Sequence, residues 1–130
     1  MSKAMTLDTL LNRAAAKERA KDDKLEIQLP GSENVLIFHR LSDAKILEIV
    51  DQIASGAKDA MLTGAMEATD HMIYASCELL QNPELHAQLG VAEPWDVVPK
   101  IFTLAERNEI GGKLFAWLGV DAIAGDVKNA

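Results

Sequence analysis

Hydrophobic and polar residues alternate strictly over residues 24–29 (KLEIQL), where the three apolar side chains share one face. An alternation with a period of two is typical of a half-buried β-strand. Residues 30–34 (PGSEN) supply turn chemistry, and a second β-rich run follows at 35–39. This pattern predicts a β-hairpin. Because a lone hairpin is only marginally stable, we expect a helix face or a strand of another chain to cover it.

Helical spacing of apolar residues occurs on both sides of this hairpin. Thr6 is a predicted N-cap for a helix that ends near residue 22 and has only a thin apolar stripe. A short isolated helix is marginal, so we expect this basic arm to pack on a partner or to be mobile in the free protein. Ser42 is the predicted N-cap of a second helix, which Ser55-Gly56 ends and whose broad apolar face must be buried.

Two more helices are predicted on either side of Asn82-Pro83. One covers about 65–81, and the other is a short helix that begins at Asn82-Pro83 and ends at the C-cap Gly90. Met66 and Met72 belong to the first of them. We assign both to the core, although flexible thioethers are also common at interaction surfaces.

The final apolar segment, residues 94–121, predicts a long helix that Pro94 opens. Pro99 falls past the first turn of such a helix, so we expect a break or kink near Val98. Gly111-Gly112 follows later in the same helix. Each helical glycine costs roughly 1 kcal/mol relative to alanine. These glycines are therefore expected to serve either a close backbone approach or a hinge.

Together these elements predict a mainly α protein with one small β-hairpin, an α+β fold. Its expected order is an N-terminal helix, a two-stranded hairpin and then a bundle of about four helices. A chain of 130 residues suits a single domain. We assign residues 1–23 to an N-terminal helical arm, 24–121 to one helical domain with the hairpin, and 122–130 to a frayed tail.

Charge is unevenly distributed along a chain whose formal net charge is -7. Residues 1–24 contain six basic and four acidic residues, whereas the remainder contains seven basic and sixteen acidic residues. Binding to phosphate backbones needs clustered cations, so we do not expect a nucleic-acid partner. No apolar run approaches the roughly 18 residues of a membrane span, and the N-terminus lacks a signal pattern. With Cys77 as the single cysteine, we expect a protein of the reducing cytoplasm, with no membrane partner.

The strongest candidates for a catalytic or metal-binding site are Glu67, Asp70, His71 and Glu78. Spacings of four and seven place Glu67, His71 and Glu78 on one helical face, where they could hold a metal. Two-helix carboxylate sites, however, use a Glu-x-x-His pair from each of two helices, a pattern this chain lacks. Cys77 has no neighbouring base in the sequence, so we assign it as a small buried hydrophobe. Since nucleophile-elbow, phosphate-loop and dinucleotide motifs are also missing, we predict no catalytic residue, no metal, no cofactor and no enzyme.

Apolar residues of the last segment fall on more sides than one neighbouring helix would cover. Either this helix is central to the core or it has a second, intermolecular face. Aromatic residues fit both alternatives, because they are enriched at interaction surfaces as well as in cores. The hypothesis of a partner-binding face rests on these residues: Ile101, Leu104, Leu114, Phe115, Trp117 and Leu118.

The ending of the chain combines a proline-started helix, apolar pairs, a mid-helix glutamate and a closing apolar-x-Gly-apolar-Asp signature. The residues that carry this pattern are Pro94, Val97, Val98, Lys100, Ile101, Glu106, Gly111, Leu114, Trp117, Gly119, Val120 and Asp121. With the polar N-terminal helix and the two-stranded element before it, this ending resembles the tail assembly chaperones of tailed bacteriophages and prophages. Pro99 and Gly112 depart from the family pattern.

The resemblance implies a small non-enzymatic protein of the host cytoplasm. Such a protein coats the long, aggregation-prone tape measure protein until tail-tube subunits polymerise around it, and it is absent from the mature virion. The implied partners are the tape measure protein and the major tail tube protein. Helix-in-groove contact through Ile101, Leu104, Phe115 and Trp117 would supply affinity. Self-association into a homo-oligomer, through the hairpin edge or the last helix, is a further expectation.

A small structural adaptor that stays in the assembled particle is the alternative function. It would be present in virions at a fixed copy number, whereas a chaperone would be missing from them. A third hypothesis is an enzyme that uses the helical face of Glu67 and His71. Stoichiometric metal in the purified protein would favour it.

Overall fold

The computed structural model describes residues 3–56 and 61–119 of the 130-residue chain. The described part is mostly helical and contains one two-stranded antiparallel hairpin, which confirms the predicted fold class. The elements are α1 (Leu7–Ala20), β1 (Lys24–Gln28), β2 (Val35–His39), α2 (Asp43–Gly56), α3 (Met61–Ser76), a 3₁₀ turn (Glu78–Gln81), α4 (Pro83–Leu89), a second 3₁₀ turn (Pro94–Asp96), α5 (Val97–Ile101) and α6 (Leu104–Leu118). The predicted tail at 122–130 lies outside the described residues, as do Val120 and Asp121.

The hairpin forms as its alternation predicts. Leu25 lies opposite Phe38 and Ile27 opposite Leu36, and Gly31 adopts a φ of +80° in the turn between the strands. Ile27 and Phe38 point inward and are buried. Helix α6 contacts β1 and α3 contacts β2, so helices of the same chain cover the inner face.

Helix α1 begins where the sequence predicts. The side-chain oxygen of its N-cap Thr6 accepts a hydrogen bond from the amide of Thr9 at 3.2 Å. No residue of α1 is buried. An exposed ion pair, 3.1 Å from Lys17 Nζ to Asp43 Oδ2, joins α1 to the start of α2, and such pairs stabilise weakly. The assignment of residues 1–23 to an arm stays a prediction.

Helices α2 and α3 differ in how well their bounds follow the sequence. Ser42 Oγ accepts from the amide of Lys45 at 3.2 Å, and α2 ends at Gly56 as predicted. Helix α3 instead covers Met61–Ser76, so the predicted range of 65–81 is wrong at both ends. The Ser76 hydroxyl donates to the Met72 carbonyl oxygen at 2.6 Å, and Cys77 then adopts an extended backbone. Such a bond to the carbonyl four residues earlier slightly destabilises a helix.

Helix α4 matches its prediction at both ends. Asn82 Oδ1 accepts from the amide of Glu84 at 2.9 Å, and Pro83 occupies the first turn. Gly90 ends the helix with a φ of +63°, a left-handed conformation that glycine adopts without steric cost.

The predicted last helix is interrupted, and the break lies at Phe102 rather than near Val98. Phe102 has an extended backbone, with a φ of -112° and a ψ of 141°. Pro99 lies in the first turn of the short helix α5, where a missing amide hydrogen costs little. Helix α6 then starts afresh with a capping box. Thr103 Oγ1 accepts from the Glu106 amide at 3.1 Å, and the Thr103 amide donates to Glu106 Oε1 at 2.9 Å.

Helix α3 lies at the centre of the core, in contact with α2, α5, α6 and β2. Met72 is completely buried on it, which confirms its assignment to the core, and Met66 is half-buried. The other fully buried large side chains include Phe38, Ile49, Ile73, Val97, Val98, Ile110 and Leu114. The core therefore draws on the hairpin, on α2 and α3, and on both halves of the broken last helix.

Gly111 marks the closest approach of α3 and α6. A Cβ atom added there would lie 2.5 Å from Thr69 Cγ2, whereas one added at Gly112 would meet nothing within 4 Å. Helix α6 continues through both glycines. Of the two alternatives, a close backbone approach is confirmed for Gly111, and the hinge stays a prediction.

We expect Gly111→Ala to lower the free energy of unfolding and Gly112→Ala to raise it. Thr69 cannot turn away freely, because its hydroxyl donates to the Ala65 carbonyl oxygen at 2.8 Å. Overpacking of this kind costs typically about 1–3 kcal/mol, which outweighs the gain in helix propensity. At Gly112 only the propensity gain of up to ~1 kcal/mol remains. Urea denaturation of the two variants measures both changes, and equal effects at the two positions would contradict the close approach.

Candidate functional site

The six predicted partner-binding residues do not share one exposed face. Ile101 and Leu104 are exposed, at 41% and 61%. Leu114 is completely buried and Leu118 nearly so. In this monomer, Leu114 therefore has no surface to offer a partner. The role of the six residues in binding stays a prediction.

Phe115 and Trp117, the aromatic members of that set, are half-buried and pack against the core. The guanidinium carbon of Arg40 lies 4.6 Å from the centre of the Trp117 ring, a cation–π contact that joins the end of β2 to α6. Trp117 thus contributes to the fold, and only part of its ring is exposed.

An apolar groove lies elsewhere, between β2, the first 3₁₀ turn, α4 and α5. We call it the α4–α5 groove, and it has a volume of about 480 Å³. Its apolar lining consists of Leu36, Leu79, Leu80, Leu85, Ile101 and Phe102. Asn82, Glu84 and Gln88 supply the polar part of the lining. Apolar walls with a few polar groups are typical of surfaces that receive a partner's helix.

Two local breaks in the chain create this groove. The 3₁₀ turn before Asn82 divides a leucine pair, so that Leu80 is buried at 3% exposure while Leu79 is 67% exposed. The extended backbone at Phe102 buries the Phe102 ring and leaves the preceding Ile101 exposed. In both places one apolar residue completes the core and its neighbour remains at the surface.

Of the apolar residues that remain accessible in the groove, sequence reasoning found only Ile101. It missed the exposed Leu79 and the half-buried Leu36 and Leu85, which lie on three separate elements. One signal was available: the adjacent leucines Leu79 and Leu80, which end two residues before Pro83's cap Asn82, cannot both face the core once the helix has ended. The meeting of β2 with α4 was not readable from either segment alone.

A second, acidic cleft of about 360 Å³ is lined by Glu67, Asp70, His71, Trp95 and Asp96. The rings of His71 and Trp95 lie 4.5 Å apart between centroids. Burial lowers the pKa of His71 below its usual value, against the influence of the nearby carboxylates. Neutral imidazole is therefore favoured at pH 7.

Asp70 forms a buried ion pair at the edge of this cleft. Arg107 Nη1 donates to Asp70 Oδ2 at 2.9 Å, and both side chains are little exposed. Burial raises the pKa of Asp70, while the Arg107 guanidinium opposes that shift. Within the described residues, Asp70 Oδ1 and Arg107 Nε are buried without a hydrogen-bond partner. The hydrogen-bonding capacity of this ion pair is therefore only partly used.

The candidate metal constellation is divided by the end of α3. Glu67 and His71 line the acidic cleft, whereas Glu78 lies on the following 3₁₀ turn, 3.9 Å from His39. Over residues 3–56 and 61–119, no three His, Cys, Asp or Glu side chains are placed to hold a metal ion.

Cys77 is buried at 1% exposure, which confirms its assignment as a small buried hydrophobe. Burial raises the pKa of its thiol, so little thiolate is present at neutral pH. Among the described helices, none is both long and apolar enough to span a bilayer.

Comparisons with known proteins give no guide to these surfaces. The sequence matches no protein-family model, and no curated protein and no solved structure is detectably similar to it.

We expect Arg107→Met to destabilise the protein in a pH-dependent way. Breaking a buried pair costs about 3–5 kcal/mol, because the remaining charge is left uncompensated. Since burial already raises the folded-state pKa of Asp70 above its ordinary 3.8, removal of Arg107 raises it further. The free energy of unfolding of the variant therefore falls as pH rises from about 4 through that raised pKa, and acidification recovers part of the loss.

Urea denaturation at several pH values checks this expectation. The double variant Asp70→Asn with Arg107→Met serves as its control, because it has no carboxyl group at position 70 to titrate. A difference between wild type and Arg107→Met that is the same at pH 4.5 and pH 7 would contradict the role of Asp70.

Proposed function

We propose that this chain is a non-enzymatic phage tail assembly chaperone that binds the tape measure protein and keeps it soluble during tail morphogenesis. The α4–α5 groove is the observation that carries the proposal. A holdase needs an exposed apolar surface that receives a helix reversibly, and binding alone lowers the concentration of free, aggregation-prone client.

The exposure of the groove residues supports this role. Leu79 and Ile101 are 67% and 41% exposed, and neither belongs to the buried core cluster. A client helix with apolar residues at i, i+3 and i+4 presents the complementary stripe. The area is small, so each contact is weak, and many copies along one long client would act together through avidity.

The charge of the body supports the same role. Beyond residue 24 the chain carries sixteen acidic and seven basic residues. A net negative surface around an apolar groove keeps a complex with a hydrophobic client protein in solution and suppresses nonspecific association. The proposed site needs no nucleotide, metal or cofactor, because it acts by binding alone.

The resemblance to tail assembly chaperones supports the identity of the client, and it rests on different residues from the groove. Four of its matching residues serve the fold: Val97, Val98 and Leu114 are completely buried, and Gly111 faces Thr69. Ile101 is the matching residue that also lines the groove.

We expect the double variant Leu79→Asp with Ile101→Asp to lose capture of a tape measure fragment. Two carboxylates in the groove would have to be desolvated on binding, which opposes association strongly. The expected loss of affinity is about tenfold or more. Co-purification and the soluble fraction of the fragment after ultracentrifugation measure the loss.

Leu47→Asp is the matched control, because Leu47 is 53% exposed on α2 and does not line the groove. It should retain capture, and far-UV circular dichroism should be unchanged in all variants. If the groove variant and the control variant capture the fragment equally well, the groove is not the binding site. A wild-type chain that ignores tape measure fragments, or that is found at fixed copy number in purified virions, would overturn the chaperone function.

A further inference from the structure

Helix α1 carries an apolar stripe with no partner in the monomer. Leu7, Leu10 and Leu11 recur at helical spacing and are 72%, 52% and 58% exposed, and no residue of the helix is buried. An isolated helix of 14 residues is marginal in water even with good helix formers. A stable α1 therefore requires a surface that covers these leucines.

The chain's own body does not cover them in this structure. Against the body, α1 presents its C-terminal half, where Ala14, Lys17 and Glu18 line a cleft beside the start of α2. The exposed ion pair of Lys17 with Asp43 lies at this end of the helix. Among the described residues that line the α4–α5 groove, none belongs to α1. One molecule thus presents an apolar stripe and an apolar groove at separate places.

Charge makes the two surfaces complementary. Lys3 precedes the leucines of α1, Asp8 lies between them and Arg13 follows them, and all three are exposed, so this stretch has a small net positive charge. Glu84 lines the groove, and the exposed Glu78 directly precedes Leu79 at its edge. The wider distribution has the same sign, since residues 1–24 are net basic and the remainder is strongly acidic. Opposite charge around two apolar surfaces favours their association over other pairings.

We infer that α1 of one copy docks in the α4–α5 groove of a second copy, with its leucines against Leu79, Leu85 and Ile101. The two surfaces differ, so the contact is heterologous and can repeat head to tail from copy to copy. Helix α1 then occupies the groove that the proposed function assigns to the client, and client binding displaces it. The displacement rests on the proposed function, whereas the self-association does not.

Sedimentation velocity of the full chain without client, over roughly 1 µM to 1 mM, tests the inference. The wild type should associate increasingly with concentration. Leu10→Glu should weaken that association about tenfold or more, because the added charge lies on the docked face. Ala16→Glu adds the same charge on the opposite face of α1 and should leave association unchanged. A wild type that stays monomeric throughout, or a Leu10→Glu variant that associates like wild type, overturns the inference.

Cross-linking locates the contact. Chains with Leu10→Cys and chains with Leu79→Cys are mixed, and disulfide-linked pairs between the two should form faster than pairs between Ala16→Cys and Leu79→Cys. The buried Cys77 should not take part. Cross-links no faster than the control would overturn the groove as the docking site.

Client capture is measured separately on the same variants. Leu10→Glu should bind a tape measure fragment at least as tightly as wild type, because its groove is free of the neighbouring α1. Loss of self-association with capture retained supports the inference. If capture fails in the wild type while association remains sensitive to Leu10→Glu, the chaperone function fails and the self-docking stands.

Discussion

The close approach of α3 and α6 is the constraint on which the rest of the structure depends. Gly111 lets the backbone of α6 come within van der Waals reach of Thr69, and the same two helices carry the buried pair of Asp70 and Arg107. A buried ion pair is retained only where its partners keep their geometry. Because α6 covers β1 and α3 contacts β2 and α2, this spacing also places the hairpin and α2.

The break at Phe102 determines which apolar residues reach the surface. One continuous helix would carry Ile101 and Leu104 in the same helical register as Leu114 and Leu118. The extended residue resets the direction, so that α5 buries Val97 and Val98 while Ile101 faces the α4–α5 groove. A fold feature and the candidate binding surface therefore have the same origin, the capping box that starts α6 at Thr103.

Among the described residues, exposed apolar side chains are grouped on the leucines of α1 and in the α4–α5 groove, while Val35, Ile37, Leu47 and Leu104 lie outside both. Contiguous apolar patches often mark interaction sites, whereas single exposed hydrophobic residues are ordinary. Towards the end of the described chain, by contrast, Val97, Val98, Ile110, Leu114 and Leu118 belong to the core. The α4–α5 groove is therefore formed by elements that precede α6, and α6 itself contributes mainly to packing.

The sequence by itself determined the local elements: the hairpin, the caps at Thr6, Ser42 and Asn82, and the fold class. Their signals lie within a few residues of each other. The capping box of Thr103 and Glu106 is also a local signal. It marks the true start of α6, whereas Pro99 alone predicted a break near Val98. Only the tertiary structure decided that Leu114 is core, that Leu36, Leu79 and Leu85 meet in one groove, and that Gly111 serves Thr69. The physical reason is that each of these outcomes depends on which distant segments of the chain pack against each other. Hydrophobic periodicity shows that a face is buried, but it does not show which element covers that face.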